Sequence, residues 1–429
     1  MAHGAWPFVA GSRRESLSEL NIRIIVVAYA CAPDEGSEPG AGWMWARALA
    51  RLGEVTVVTR ANNRGLIESK LSHTPERDSM QFIYVDLPPW ARRWKKGRRG
   101  IHLYYGVWLL LAAREGRKES RKRRFDFVWH LTLANIWFGT SAGLIGAPLV
   151  YGPVGGGVGA PWRLLQSLGT RGMVHEVLRA LVRSVARFVN PFARLSWRAA
   201  RIILVQNPET EQWIPRRHRH KAHLFPNPVV DELLTEIPTP RAFSRVAVFA
   251  GSLLPLKGVN LAIQALGQAP GWSLHVYGAG RDEARLRRLA DDLHLGDRVI
   301  FKGWVNRTEV LRALATSADV LLFPSLHEEG GWVVAEAAAL GLPVICFDRG
   351  GPPVLLGDQE KALIVPLRNR ADSVDHLASA LLQVPHGHQR GAASFTLAST
   401  VERLSRLLHE NGLLSSNQLK DSYQEKDKG

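Results

Sequence analysis

The sequence predicts an α/β protein made of two parallel-sheet halves. Three observations point there. Apolar, β-branched runs alternate with helix-like stretches from end to end, the pattern of βαβ units. At 429 residues the chain has room for two domains of ordinary size. A proline-bearing connection, Leu224-Phe-Pro-Asn-Pro-Val-Val-Asp231 and on to Pro240, separates the two alternating series.

The elements follow in order. Ile22–Tyr29 reads as a buried strand, followed by the Gly/Pro-rich loop 33–42 and a helix through Leu52. Further first-half strands are expected at Val55–Thr59, Phe82–Val85, Phe125–Trp129, Pro148–Tyr151 and Ile202–Val205. The second half opens with Val246–Ala250 and continues with Ser273–Tyr277, Val299–Phe301, Val320–Phe323 and Val344–Phe347. Helices are expected at Val259–Gly267, Glu283–Leu293 and Glu309–Thr316. The expected division is a flexible extension over 1–20, a first domain over 21–225, a second over 226–412 and a disordered tail over 413–429. The last helix of the second domain is expected to pack back on the first.

The net charge of +16 points to a polyanionic partner: nucleic acid, an anionic membrane surface or phosphorylated substrates. Only two cysteines occur, Cys31 and Cys346, which leaves no disulfide framework and no zinc ligand set and fits a reducing cytosol. Residues 1–20 lack the apolar core of a signal peptide. No apolar run reaches the roughly 18–20 residues that a membrane-spanning helix needs.

The segment Ser325–Ile345 carries the strongest chemical signal. It runs from a strand through a loop holding Gly330 and Gly331 into a helix and a second strand, with Glu328 and Glu336 in between. In a parallel α/β sheet, strand ends and following helix starts form a ligand crevice that favours phosphate. Carboxylates placed there accept hydrogen bonds from sugar or ribose hydroxyls. Exposed glutamates at such spacing are also common solvated residues.

Gly251-Ser-Leu-Leu-Pro-Leu-Lys-Gly258 follows a strand directly, so Gly251 admits a ligand to the backbone and Lys257 offers a point charge for a diphosphate. By itself the same pattern is an ordinary βα turn with a solvated lysine. Tyr277-Gly-Ala-Gly280 ends another strand, and its glycines suit a turn beside a ligand or a plain turn. In Lys302-Gly-Trp-Val305 the backbone would meet a nucleobase edge with Trp304 nearby, or Trp304 is a core residue. In the first half, Glu38-Pro-Gly-Ala-Gly42 precedes the first helix and would hold a phosphate on backbone amides. Gly152–Gly159 is the richest glycine cluster, read as a mobile loop facing the crevice or a flexible surface turn. His130 closes an expected strand, where it would touch substrate or serve a structural role.

Together these motifs resemble family 4 of the retaining glycosyltransferases, most strongly from Val246 to Gly357. The carriers are Gly251…Lys257-Gly258, Tyr277-Gly-Ala-Gly280, Gly303-Trp-Val305, Glu328…Glu336 and Gly341-Leu-Pro-Val-Ile345, in the family's order. Pro226–Asp231 is similar to the family's interdomain segment, with Pro228 in place of glycine. The resemblance implies the GT-B fold: two Rossmann-like domains whose parallel sheets face an interdomain cleft. It implies sugar transfer from a nucleotide-diphosphate sugar to a hydroxyl acceptor with retention of configuration.

By the same resemblance Lys257 would contact the donor diphosphate, Glu336 the ribose and Glu328 the transferred sugar. His130 would lie near the donor sugar and the acceptor hydroxyl. Gly251, Ser252, Gly278, Gly280, Trp304, Val305, Gly330, Gly331, Trp332 and Val333 would complete the donor site. Gly40, Gly42 and Gly156 would serve the phosphate and acceptor side. No metal and no cofactor is implied beyond the nucleotide sugar itself, and the chain lacks an Asp-x-Asp motif. Ser252 departs from the family, which has arginine there; Arg349 is a candidate replacement. Two rival readings remain: a nucleotide-sugar epimerase of similar fold, which needs no acceptor, and a non-catalytic nucleotide- or lipid-binding homologue, which would bind donor without consuming it.

Residues 90–124 hold thirteen Lys or Arg and two acids, interleaved with Trp90, Trp94, Tyr104, Tyr105 and Trp108. Such a stretch suits an anionic membrane, with aromatics at the headgroups. Val174–Arg201 is a second Arg-rich amphipathic stretch. These would set a lipid-linked or glycan acceptor at the cytoplasmic face of an inner membrane, in exopolysaccharide, lipopolysaccharide or glycolipid assembly. A solvated basic helix is the plainer alternative. Nucleic acid is not expected, since no recognised nucleic-acid module accompanies the charge.

Overall fold

The computed structural model describes residues 22–92, 100–164, 169–231, 242–357, 362–385 and 395–414. The extension expected over 1–20 lies outside them.

The first half contributes β1 (Arg23–Ala28), β2 (Glu54–Arg60), β3 (Met80–Val85), β4 (Phe127–Thr132), β5 (Leu149–Val154), β6 (Ala200–Val205) and β7 (Ala222–Leu224). They form one sheet in the order β3-β2-β1-β4-β5-β6-β7. The second half contributes β8 (Val246–Ala250), β9 (Ser273–Tyr277), β10 (Val299–Gly303), β11 (Val320–Phe323), β12 (Val344–Phe347) and β13 (Ala362–Val365), in the order β10-β9-β8-β11-β12-β13. Every registered neighbour pair is parallel. The strand order reverses direction between β1 and β4, and again between β8 and β11. Ligand crevices open at the carboxyl ends beside such reversals.

Burial explains the strand sequences. Ile24 and Val26 pack on one face of β1 while Ile25 and Val27 pack on the other, and all four are buried. A strand covered on both faces must be apolar throughout, which is why it reads as a continuous run. β7 and β13 escaped the sequence reading because each is a short edge strand.

The helix Leu397–Glu410 returns to the first half. Its Leu404 and Leu408 are fully buried in the cluster that also holds Trp45 and Trp129. Leu414 is buried in the same cluster, so the packed chain runs past the expected start of a disordered tail at 413; residues 415–429 lie outside the described set. Trp45 Nε1 donates to the Asn227 carbonyl at 2.7 Å, tying the first helix, Ser37–Ala50, to the connection between halves.

Several expectations are corrected. The first helix begins at Ser37, so Gly40 and Gly42 lie inside it, buried. A Cβ on Gly40 would sit 2.0 Å from the Glu35 carbonyl oxygen, and one on Gly42 equally close to that of Ala30. Both glycines let the helix pack against the preceding loop, and neither stands free for a phosphate. In the basic stretch, Tyr104, Tyr105 and Trp108 are buried on the inner face of the helix Ile101–Lys122, unavailable to headgroups. Trp90 is exposed, and Trp94 lies outside the described residues.

The glycine cluster after β5 is not a mobile loop. Gly155 N donates to the Ala134 carbonyl, Gly157 N to Thr210 Oγ1 and Val158 N to Glu329 Oε1. Gly156 adopts φ +102°, and a Cβ there would meet the Asn135 side chain at 2.7 Å. Close approach, more than flexibility, demands glycine at this point.

Candidate functional site between the two sheets

The carboxyl ends of β8, β9 and β10 are stitched edge to edge. Gly251 N donates to the Tyr277 carbonyl, Leu253 N to that of Ala279 and Gly278 N to that of Gly303, at 2.7–3.0 Å. A Cβ on Gly278 would fall 1.9 Å from the Gly251 oxygen, and one on Gly280 2.2 Å from that of Leu253. These glycines therefore bring three strand-end turns into one floor. Gly251 and Ser252 are exposed on it, and Trp304 is 77% exposed, which excludes the core role. Val305 is half-buried against the second core.

Lys257 ends a short turn after β8, and Gly258 beside it adopts φ +70°. A Cβ at Gly258 would lie 1.9 Å from the Pro324 oxygen, so the turn packs directly on the end of β11. This packing delivers Lys257 Nζ to the Glu328 carboxylate, with which it forms an ion pair. The ammonium also sits 5.7 Å from the Phe323 ring centroid.

Glu336 lies in the second turn of the helix Trp332–Ala339 and is buried. Burial pushes its carboxyl above the ordinary value, and Arg307 opposes that rise. Arg307 Nε donates to Glu336 Oε1 at 2.7 Å. Arg307 is a site residue that the sequence reading missed; nothing in its spacing marks it.

Glu328, Glu329, Gly330, Gly331 and Trp332 form one wall of a cavity of about 300 Å³. The opposite wall comes from the first half, including Glu38, Tyr105, Asn135, Gly155, Gly156 and Gln206. The volume suits a small polar ligand. Glu38 Oε2 accepts from Leu133 N at 2.9 Å, and burial raises its carboxyl. Trp332 Nε1 is buried with no hydrogen-bond partner among the described residues.

His130 does not reach this cavity. β4 extends to Thr132, two residues past the position expected to end it, which places His130 inside the sheet and fully buried. Its Nε2 lies 2.9 Å from the Tyr105 hydroxyl, so Tyr105 stands between it and the cavity. Burial pushes its pKa down to about 4. Its period-2 position in the strand could have revealed this, since it alternates with Trp129 and Leu131 in a run buried on both faces.

Arg349 does not face the floor near Ser252. Its Nη2 donates to the Gly159 carbonyl at 2.7 Å, securing the glycine segment of the first half. Positive charge instead gathers around His327, between Ser325 and Glu328. Burial holds its imidazole well below the ordinary value, and Arg179, Arg183, Lys257 and Arg349 add to the effect. Arg179 Nη2 lies 3.1 Å from His327 Nε2, and it also lines the cavity. Among the described residues, no group of three or more His, Cys, Asp and Glu could hold a metal ion.

Residues 236–394 match the family model for glycosyl transferases group 1. D-inositol 3-phosphate glycosyltransferase of Mycobacteroides abscessus is 35% identical over 173 residues, covering 38% of this chain and 39% of that protein. The enzyme of the same name from Mycolicibacterium smegmatis is 31% identical over 169 residues, covering 37% and 39%. The chain thus matches less than half the length of these curated relatives.

Solved structures match over nearly the whole chain. The apo lipopolysaccharide outer core galactosyltransferase WaaB aligns with a TM-score of 0.59 at 14% identity, covering 91% of this chain and 99% of that one. HepE of Anabaena, solved with UDP and glucose, aligns at 0.54 and 15% identity, covering 91% and 100%. Sucrose-phosphate synthase of Thermosynechococcus elongatus aligns at 0.57 and 18%, covering 91% and 98%. Identities this low speak to the fold alone, and that fold is GT-B. The chain is therefore a GT-B protein whose second half matches the glycosyl transferases group 1 family over residues 236–394.

Proposed function

We propose that this protein transfers a sugar from a nucleotide-diphosphate sugar to a hydroxyl acceptor with retention of configuration. The observation that carries the reading is Glu328, which lines the shared cavity and holds Lys257 in the same arrangement. A carboxylate for sugar hydroxyls and an ammonium for a diphosphate meet where the two halves face each other. Around them, the family match covers the half that would hold the donor.

In this reading Lys257 exchanges its Glu328 partner for the donor diphosphate. The freed Glu328 carboxylate accepts hydrogen bonds from the sugar. Glu336 accepts from the ribose hydroxyls, with Arg307 opposing the rise that burial gives its carboxyl. The bond from the anomeric carbon to the diphosphate oxygen breaks, and its electron pair leaves with the diphosphate. The acceptor oxygen bonds the same face of that carbon, and its proton passes to the leaving phosphate oxygen. Lys257 and Arg179 supply charge that Ser252 does not, and no divalent metal or other cofactor takes part.

The acceptor hydroxyl enters from the first-half wall, beside Glu38 and Tyr105. It belongs to a glycan or a lipid-linked intermediate in exopolysaccharide, lipopolysaccharide or glycolipid assembly. WaaB, named for the lipopolysaccharide outer core, shares the fold. The protein works in the cytoplasm, peripherally at the inner membrane face; among the described residues, no helix is long and apolar enough to cross a membrane.

Thermal shift against uridine, guanosine and adenosine diphosphates and their sugars tests the donor site. A ligand that binds the folded chain raises its apparent Tm. One nucleotide series should stabilise the wild type and lose that effect in Glu336→Ala. Absence of any shift across the panel removes the reading. Binding without donor consumption in the presence of acceptor would favour a non-catalytic homologue.

A further inference from the structure

The helix Gly169–Val189 is turned inside out. Two of its charged side chains face the protein: Glu176 and Arg183 are buried, and Arg183 donates to the Gly157 and Val158 carbonyls at 2.7 Å each. Arg183 also lies 5.0 Å from the Trp213 ring centroid, and Arg179 meets His327. A set of its apolar side chains faces outward. Val177, Leu178, Leu181, Val182 and Val185 recur at helical spacing, and Leu178 and Leu181 are 58% and 60% exposed. The next helix, Pro191–Ala199, continues the stripe with Phe192 and Leu195, at 58% and 60%. A surface helix ordinarily turns this stripe to the core. An apolar stripe this long, left facing outward, marks an interaction surface.

We propose that this outward face docks on an anionic lipid bilayer. Charge selects that occupant over a second copy of the chain. Residues 169–201 carry seven arginines and one acid, Glu176. The acid is buried while Arg194 and Arg198 are exposed, so two such faces would set these arginines against each other in a protein of net charge +16. A bilayer with anionic headgroups accepts the leucines and valines and pairs with Arg194 and Arg198, which are exposed on the second helix.

The face is continuous with the rim of the shared cavity. Asn190, between the two helices, donates to the Trp137 and Phe138 carbonyls at 2.8 and 3.2 Å. Trp137, Phe138 and His102 line the cavity, and their rings lie within 6.4 Å of one another. Arg179 lines it from the helix itself. A bilayer seated here brings a lipid-carried hydroxyl to the first-half wall. That last step alone rests on the sugar-transfer reading; the docking does not.

The test is co-sedimentation of the full chain with vesicles of equal parts phosphatidylglycerol and phosphatidylcholine, and with phosphatidylcholine alone. The wild type should pellet with the anionic vesicles only. Leu178→Glu/Leu181→Glu should lower the bound fraction tenfold or more, since each leucine withdrawn from lipid forfeits roughly a factor of ten in partition. Leu382→Glu, on an exposed leucine of the second half, should bind as the wild type does. Leu181→Ser serves as a milder variant should the double glutamate unfold, and circular-dichroism melting monitors each protein.

A wild type that stays in the supernatant overturns the proposal. So does a Leu178→Glu/Leu181→Glu protein that is folded and still pellets, which would move docking to the 101–122 helix. A wild type that is dimeric without vesicles and made monomeric by these substitutions would assign the face to a second copy. Nucleotide-induced thermal shifts on the same proteins report the donor site independently, so loss of docking and loss of donor binding are read apart.

Discussion

Glu329, carried by the second half, is held by Asn207 of the first: Asn207 Nδ2 lies 3.0 Å from both the Glu329 carbonyl oxygen and Oε2. Thr210 Oγ1 donates to the same carboxylate at 3.2 Å, and Val158 N donates to Oε1 at the same distance. The carboxylate is thus a latch between the halves. Glu329→Ala strands these donors and should cost about 1–3 kcal/mol. Lower Tm and a larger radius of gyration in solution scattering are the expected readouts, with Glu329→Gln intermediate. Burial raises the Glu329 carboxyl, so the folded state holds its proton at higher pH than the unfolded chain does. Burial of this group therefore makes stability fullest below the ordinary glutamate value and lets it decline as pH rises through the folded one, while the Asn207 and Val158 hydrogen bonds oppose that decline. Glu329→Gln should flatten that slope.

Lys257 and Glu328 give the sharpest chemical prediction. Lys257→Ala removes the point charge for the diphosphate and leaves Glu328 without the ion pair it makes with Lys257. Turnover should fall by about 100- to 1,000-fold, the range for losing one electrostatic donor at a developing charge. Lys257→Arg should retain part of it. Steady-state rates with the donor identified by thermal shift decide the matter, and near-normal turnover in Lys257→Ala would sink the site assignment.

Arg307 is expected to matter only through Glu336. The Glu336 side chain is 6% exposed and that of Arg307 25%. Removing one partner of a buried pair costs about 3–5 kcal/mol, and Arg307's partial exposure lowers the expectation to about 1–2. Arg307→Ala should weaken nucleotide binding with the acceptor KM unchanged. A double-mutant cycle with Glu336→Gln, read by calorimetric donor affinity, should show a coupling well above the noise; strict additivity would uncouple the two residues.

The second-half site was legible because its residues sit at strand ends in chain order. Gly251, Lys257, Gly278, Gly280 and Glu328 all follow apolar runs, and the parallel sheet gathers their ends on one edge. What joins the two halves was not legible. Asn207, Thr210 and Arg183 carry no local pattern, and their partners lie more than a hundred residues away or in an unrelated loop. Ser252 suggested a missing cation, and its replacement was sought nearby at Arg349. A cation that does line the cavity is Arg179, whose helix sits in the other half of the chain. Gly40 and Gly42 misled because glycine serves close helix packing as readily as ligand access.

His130 separates a core role from a catalytic one. It is fully buried, with its pKa down to about 4, so it is neutral throughout the physiological range. The folded state resists protonating it, whereas the unfolded chain binds a proton near the ordinary value. Its contribution to stability is therefore present above that value and is lost as pH falls from there towards about 4. Two to three pKa units of difference correspond to on the order of 3 kcal/mol at full development. His130→Phe removes this titration, so its melting temperature should fall less steeply than that of the wild type between neutral and acidic pH. It also removes one partner of the Tyr105 hydroxyl, which keeps the Thr132 and Leu133 carbonyls as acceptors, and should cost about 1 kcal/mol at neutral pH. For the folded fraction, kcat should remain within a few-fold of wild type. A loss of kcat as deep as that of Lys257→Ala, in a protein whose melting curve is intact, would return His130 to the reacting centre.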